Sequence, residues 1–473
     1  MTDQTDAVGD GGGSTLNVLQ RWYHVPFLLG VVVFMLWTRL RSYGNFIQGG
    51  EVYFRGNDAW YHLRETRYLL ENWPSTLPFD VWTGFPFGSH VGQFGTLWDH
   101  IMAASVFIAR PVLSSTEEVM LIMAPIAGSL VAVPTYFIAR RFVDRFAAVG
   151  ATVVLALLPG TFFSYSLVGF PDHSAAEVFF QSLAVLAFLV AFAVAEREAP
   201  VWELVIDRDW DALKLPAAYA TAAGVVLGLY MWTWQPGVLM VGFTGLFLAI
   251  KITSDVYHGT TPEPIAFAGT VSMGVAGLMQ VIPIDTFTFG VAAYSLTQVV
   301  LPLGVAVGAV FLAWLARQWE HQGLDVDTYP LAVIGLILAS ASVVWLVLPS
   351  LWSTVTNSLL NVVGFSASAG LRTIGEAQPP LQSADFASFV LSQYGLAFFL
   401  ALAAILYILA RPLYRSKDIN HTLYIPTALA VVGTVYAVPQ AYDAIGGLVG
   451  VSWQVIGLVI AAGFLVGATF LVE

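Results

Sequence analysis

Three short segments carry side chains able to hold a cation beside a charged leaving group. The first runs Gly56-Asn57-Asp58-Ala59-Trp60-Tyr61-His62-Leu63-Arg64, with Asp58 just ahead of an amphipathic stretch from Trp60 to Trp73. The second runs Gly169-Phe170-Pro171-Asp172-His173-Ser174-Ala175-Ala176-Glu177. There Asp172 offers hard oxygen and His173 an imidazole nitrogen, a mixed donor set that suits a divalent metal such as Mn2+. The third is Thr373-Ile374-Gly375-Glu376, preceded by Arg372 and followed by Pro379-Pro380; Glu376 is the one acid between Trp352 and Asp385. Each signal has a plainer alternative. Asp58 and Asp172 both sit where an aspartate caps a helix by accepting from the first free backbone N–H groups, and Glu376 reads equally as a solvated loop carboxylate.

The elements that must position these residues are membrane helices. The hydrophobic fraction is 57%, charged residues are 11% and mean hydropathy is +0.74. Soluble domains are nearer half apolar and a quarter charged. Apolar runs of span length recur at 26–42, 116–138, 146–164, 176–195, 215–232, 235–252, 264–283, 296–315, 329–349, 389–410, 422–440 and 449–472. The stretch 96–113 is apolar but holds Asp99, His100 and Arg110, and reads as an interfacial or re-entrant segment. Backbone groups at membrane depth must pair within their own segment. The expected fold is therefore an all-α polytopic bundle of about 12–13 transmembrane helices, with two large extracytoplasmic loops, 43–115 and 350–388. The acidic, Gly-rich start predicts a disordered cytoplasmic tail over 1–20, followed by a single transmembrane domain over 21–473. It lacks the basic start of a signal peptide, so the first apolar run is expected to be retained as a helix.

With the N-terminus inside, twelve of the 19 basic residues fall on the inner face and seven on the outer, as the positive-inside rule requires. That orientation puts Asp58, Asp172 and Glu376 in three separate loops on the outer face. Carboxylates converging there would hold a divalent cation able to neutralise a phosphate leaving group. Asn420-His421-Thr422, a formal glycosylation triplet, falls inside. The chain has no cysteine, so disulfides are excluded. Acids number 31 and only three of the basic residues are lysines, giving a net charge of −12. That balance fits a high-salt cytoplasm, where screening tolerates unbalanced charge, and no nucleic-acid partner is expected.

The segments Gly56-Asn57-Asp58 with Tyr61-His62, Gly169 to Glu177, and Thr373-Ile374-Gly375-Glu376 resemble the short motifs of the oligosaccharyltransferase catalytic subunit in its archaeal branch. Their order, their loops and the N-in helical topology agree, so the resemblance spans essentially the whole chain. It implies transfer of an oligosaccharide from a dolichyl phosphate or pyrophosphate to asparagine in Asn-x-Ser/Thr. The setting implied is the outer face of an archaeal plasma membrane. Carried over by position, Asp58 and Asp172 would bind Mn2+ or Mg2+, and Glu376 would hold the acceptor amide. His90, with Arg64 and Arg67 nearby, is a candidate for the donor phosphate.

The departures are specific. The family's second metal-binding side chain usually lies two residues after the aspartate, where this chain has Ser174, and the adjacent His173 is the expected substitute ligand. An arginine found shortly before the second motif is Tyr165 here. Nothing basic follows Lys417 to meet the donor phosphate, and the family's C-terminal soluble domain, with its Trp-Trp-Asp-Tyr-Gly motif, is expected to be absent. Two alternatives follow: a catalytically inactive paralogue that binds lipid-linked sugar, and another polytopic transferase acting on lipid-phosphate sugars. A transporter would need ionisable groups near the bilayer midplane, and the apolar runs hold almost none.

Overall fold

The computed structural model describes residues 22–91, 95–113, 115–196, 201–284, 286–291, 293–362, 386–401, 403, 404 and 407. The expected tail, Glu376, Asn420 and the expected spans 422–440 and 449–472 lie outside the described residues. Each of the nine apolar runs expected to span between 26 and 349 forms helix. Among the described residues seven helices are long and apolar enough to cross a bilayer. The chain is mainly helical with two small hairpins, β1 (Ile47–Gln48) with β2 (Glu51–Val52) and β3 (Phe79–Asp80) with β4 (Ser89–His90).

The helices are α1 (His24–Leu40), α2 (Asp58–Asn72), α3 (Leu97–Ala109), α4 (Thr116–Leu130), α5 (Ala132–Ala139), α6 (Arg145–Ala156), α7 (Thr161–Tyr165) and α8 (Ser174–Ala195). They continue as α9 (Val201–Ile206), α10 (Trp210–Thr233), α11 (Leu239–Tyr257), α12 (Glu263–Met279), α13 (Leu296–His321), α14 (Tyr329–Val347), α15 (Pro349–Val362) and α16 (Phe386–Gln393). At 13 residues, α3 rises only about 20 Å, short of the hydrocarbon core, as expected for an interfacial segment. The run 146–164 departs from expectation. Helix α6 stops at Ala156, because Pro159 lacks an N–H to continue the ladder and Gly160 turns back at φ 78°. One five-residue turn, α7, then leads to the second motif.

The chain divides into two compact units, Met1–Pro74 with Asp99–Leu186, and Ser75–Trp98 with Ala187–Glu473. In the first, Met35, Ala132 and Ala156 are buried where α1, α5 and α6 meet, with Val31, Leu155 and Phe162 packed around them. In the second, α10, α12 and α13 approach closely through small residues. A Cβ on Gly224 would lie 2.4 Å from Ser272 O, and one on Gly228 2.6 Å from Met279 Sδ. Lipid offers no hydrophobic drive between helices, so close backbone approach of this kind is what holds them. One end of this unit gathers ion pairs. Arg317 bonds Glu263 at 2.8 Å and also reaches Glu203, while Lys251 bonds Asp255 at 2.6 Å. The opposite end ties the β3–β4 segment down. Tyr294 donates its hydroxyl to Trp232 O at 3.0 Å and accepts from the Thr96 N–H at 3.4 Å.

Candidate functional site

The first two motif segments lie against each other within the first unit. The Arg55 N–H donates to Gly169 O at 2.7 Å. Gly56 faces the Phe170 ring, 2.9 Å from where its Cβ would stand, and Tyr165 stacks on that ring at 4.7 Å. The residue at the position of the family's arginine therefore braces the junction by stacking. Gly169, at φ 87°, presses against Phe46, whose ring lies 2.1 Å from the site of a Cβ. Only glycine reconciles that backbone with that neighbour.

From this junction α2 carries the first motif inward. The cap position belongs to Asn57, without a side-chain cap bond, so the N-cap reading of Asp58 is corrected. Asp58 is the first helical residue, where a carboxylate complements the helix dipole. Asp58 and His62 are four residues apart and share one helix face. His62 is 2% exposed, between two carboxylates. Its Nδ1 lies 2.7 Å from Asp99 Oδ1 and its Nε2 3.4 Å from Asp172 Oδ1. Asp99, in the first turn of α3, is fully buried. His173 completes the group, with Nδ1 2.6 Å from Asp172 Oδ1 and 3.4 Å from His62 Nε2. Asp172 also accepts from the His173 N–H and from the Ser174 hydroxyl, both at 2.6 Å. The Asp172 oxygens thus hold the backbone at His173 and the side chain of Ser174, the first residue of α8.

The electrostatics follow from this packing. Burial opposes a charge on His62, but Asp99 at Nδ1 and Asp172 at Nε2 outweigh it and raise the imidazole to about 10. Burial likewise opposes a charge on Asp172, yet His173 and His62 hold its carboxyl well below the usual range. His173 is raised, chiefly because Asp172 outweighs its burial.

These residues fit a cation. One ligand atom each from His62, Asp172 and His173 lies within 4.8 Å of the others. Two donors about 2.1 Å from one tetrahedral cation stand roughly 3.4 Å apart, which matches both separations involving His62 Nε2; the third, His173 Nδ1 to Asp172 Oδ1 at 2.6 Å, is a hydrogen bond that a cation would have to open. The cluster holds His62, Asp172 and His173; Asp58, exposed one helical turn before His62, lies outside it. Arg64, two residues after His62, points about 200° round the helix from it. His90 is exposed on β4, paired with Phe79 and in edge contact with its ring at 5.1 Å, and belongs to the second unit. Glu376 is outside the described residues.

Three residues of the site region escaped the sequence reading. His62 lies within the first motif, where its position in sequence names no partner. Asp99 was a charge in an apolar run, a signal of function or pairing. Arg39, near the end of the first apolar run and counted among the seven basic residues of the outer face, is fully buried in α1. Its Nε donates to Ser166 Oγ at 2.8 Å, and the guanidinium sits over the Phe162 and Phe163 rings at 5.3 and 5.4 Å. Its carbonyl accepts from the Val168 N–H at 3.1 Å, so one residue anchors the approach to the second motif.

The architecture and the paired loops define a polytopic membrane protein with the fold of the archaeal oligosaccharyltransferases. The structure superimposes on that of AglB from Archaeoglobus fulgidus, solved with an inhibitory peptide and a dolichol phosphate. The TM-score is 0.72 at 22% identity, covering 96% of this chain and 56% of that one. A structure of the Archaeoglobus fulgidus oligosaccharyltransferase with Zn and sulfate matches at a TM-score of 0.60 and 22% identity, over 94% of this chain and 53% of that one. Residues 29–438 match the family described as oligosaccharyl transferase STT3, N-terminal, and the chain belongs to that family. It is 43% identical over 465 residues to the dolichyl-monophosphooligosaccharide–protein glycotransferase AglB of Haloferax volcanii, covering 96% of this chain and 44% of that protein. The chain thus spans somewhat under half the length of the curated relatives it matches.

Proposed function

We propose that this chain carries the transmembrane part of a glycosyltransferase that moves an oligosaccharide from a dolichyl phosphate or pyrophosphate to asparagine in Asn-x-Ser/Thr. The observation that carries the reading is the direct apposition of the first two motif segments, which sets Asp172 and His173 against the helix that begins at Asp58. The Archaeoglobus relative, solved with a dolichol phosphate and a peptide, supports the donor and acceptor classes. Asp58, Asp172 and His173 would hold Mn2+ or Mg2+, and the Archaeoglobus relative solved with Zn and sulfate supports a divalent cation. Glu376 accepts a hydrogen bond from the acceptor amide, orienting its nitrogen toward the anomeric carbon. The bond from that carbon to the phosphate oxygen breaks as the new carbon–nitrogen bond forms; the phosphate leaves with the bonding pair and the amide nitrogen releases one proton. A bound cation would supply positive charge beside the departing phosphate.

Residues 21–473 act as one transmembrane domain in the cell membrane, with the N-terminus cytoplasmic and the site extracytoplasmic. The acid excess and the Haloferax relative both support a high-salt archaeal host. The test is transfer of a lipid-linked oligosaccharide to an Asn-x-Thr peptide by the purified chain, with Mn2+ and with chelator. Transfer that depends on metal supports the proposal. No transfer under either condition favours the inactive-paralogue alternative, and chelator-resistant transfer removes the metal role.

A further inference from the structure

The metal set carried over by position leaves a coordination place without a good ligand, because Ser174 stands where a histidine is usual. The structure puts a different imidazole there. We infer that His62, aimed by Asp99, is a further metal ligand of this chain, joining Asp172 and His173, while Ser174 braces Asp172. The inference rests on the metal-assisted reading above and adds residues that the motif comparison does not supply.

The two sides of the His62 ring differ in a way that decides its role. On one side, Nδ1 to Asp99 Oδ1 is 2.7 Å, the length of a charge-assisted hydrogen bond. An ionised carboxylate only accepts, so Nδ1 keeps its proton against Asp99, and Nε2 is the nitrogen that can give up its proton in exchange for a cation. On the other side, Nε2 is 3.4 Å from Asp172 Oδ1 and 3.4 Å from His173 Nδ1. That is longer than a charge-assisted bond and equal to the spacing of two donors on one small cation. A purely structural Asp–His–Asp ladder would close both sides to bonding length.

The surroundings agree. A metal-bound histidine that gives its other N–H to a buried carboxylate is the usual way a protein fixes ring orientation and ligand basicity. Asp99 is fully buried in the first turn of α3. Ala59, Leu63 and Thr66, buried on α2 around His62, hold the ring's backbone in place. Ser174, meanwhile, has its hydroxyl committed to Asp172 Oδ2. Two imidazoles favour Mn2+ or a later transition metal over Mg2+, which prefers an octahedral oxygen shell with several waters.

The test uses the full chain in lipid nanodiscs, stripped with chelator and titrated with Mn2+. Free Mn2+ is counted by electron paramagnetic resonance, and coordinated nitrogens by pulsed measurements of 14N coupling. The parent should bind one Mn2+ with two imidazole nitrogens. H62Q should lose one of them and bind at least about tenfold more weakly. D99N should keep both nitrogens but weaken binding by about 10–100-fold, the range for removing such an outer partner. A parent showing a single nitrogen would overturn the inference without any variant, whether or not H62Q folds. So would two nitrogens that survive in H62Q. A parent that binds no Mn2+ at all would remove the metal reading beneath it, an outcome distinct from both.

Discussion

Gly169 is the point at which the second motif is easiest to disturb from outside the metal ligands. Its φ of 87° is a conformation that costs a side-chain-bearing residue about 1–2 kcal/mol. An added Cβ would stand 2.1 Å from Phe46 Cε1 and 2.4 Å from its Cζ. Carbon–carbon contacts settle near 3.5–4.0 Å, so the ring must retreat by about 1.5 Å. Phe46 is only half-buried and can yield, which puts repacking in the usual range of about 1–3 kcal/mol. Gly169→Ala should therefore destabilise this junction by about 2–5 kcal/mol. The bond from the Arg55 N–H to Gly169 O lies across it and should open first. Hydrogen exchange read by mass spectrometry on peptides covering 50–58 and 166–173 should lose at least about 30-fold of protection, at 1.4 kcal/mol per tenfold. The comparison variant is Gly44→Ala, where nothing lies within 4 Å of a new Cβ. It should stay within about 0.5 kcal/mol of the parent. Unchanged protection at both segments in Gly169→Ala would refute the claim that this glycine seats the two motifs together.

Three further outcomes are expected. Since the folded-state value of His62 is raised to about 10, its imidazolium contributes stability fully below its ordinary pKa of about 6.5 and loses it as pH rises through 10. Metal-free protein should show a Tm that falls on going from neutral pH toward pH 10. A His62→Gln variant that still shows the full alkaline fall would contradict this. Ser174→Ala removes a donor held 2.6 Å from Asp172 Oδ2; at about 1.5–3 kcal/mol for a hydrogen bond to a charged group, Mn2+ affinity should drop about tenfold or more. Parent-like affinity would dismiss the bracing role. Asn420, placed inside by the basic-residue count, should remain unglycosylated in its host, and a glycan there by mass spectrometry would reverse the orientation.

The order of the apolar runs, their lengths and the position of the two described motifs were all legible in the sequence, because span length is a local requirement of the bilayer. Even the short α3 announced itself through Asp99, His100 and Arg110. The halving of the run 146–164 was signalled by Pro159-Gly160, whose consequence outweighs the apolar character on either side. Asp172 and His173 were found because they are adjacent. His62 shares a face with Asp58 by helical period, a signal that was present but pointed to no partner.

What the sequence could not supply was which buried groups would meet. Asp99 lies 37 residues from His62, and Asp172 lies 110 from it. Their meeting depends on how α2, α3 and the loop before α8 fold back on one another. Arg39 reads in sequence as a charge at the end of a span, free to reach the surface. It turns inward because Ser166, Phe162 and Phe163 return to it after the break at Gly160. Hydropathy records how much each segment prefers to leave water, and that preference is a property of the segment alone. The geometry of a buried cation or proton site is a property of pairs, and pairs are decided only by the path of the chain between them.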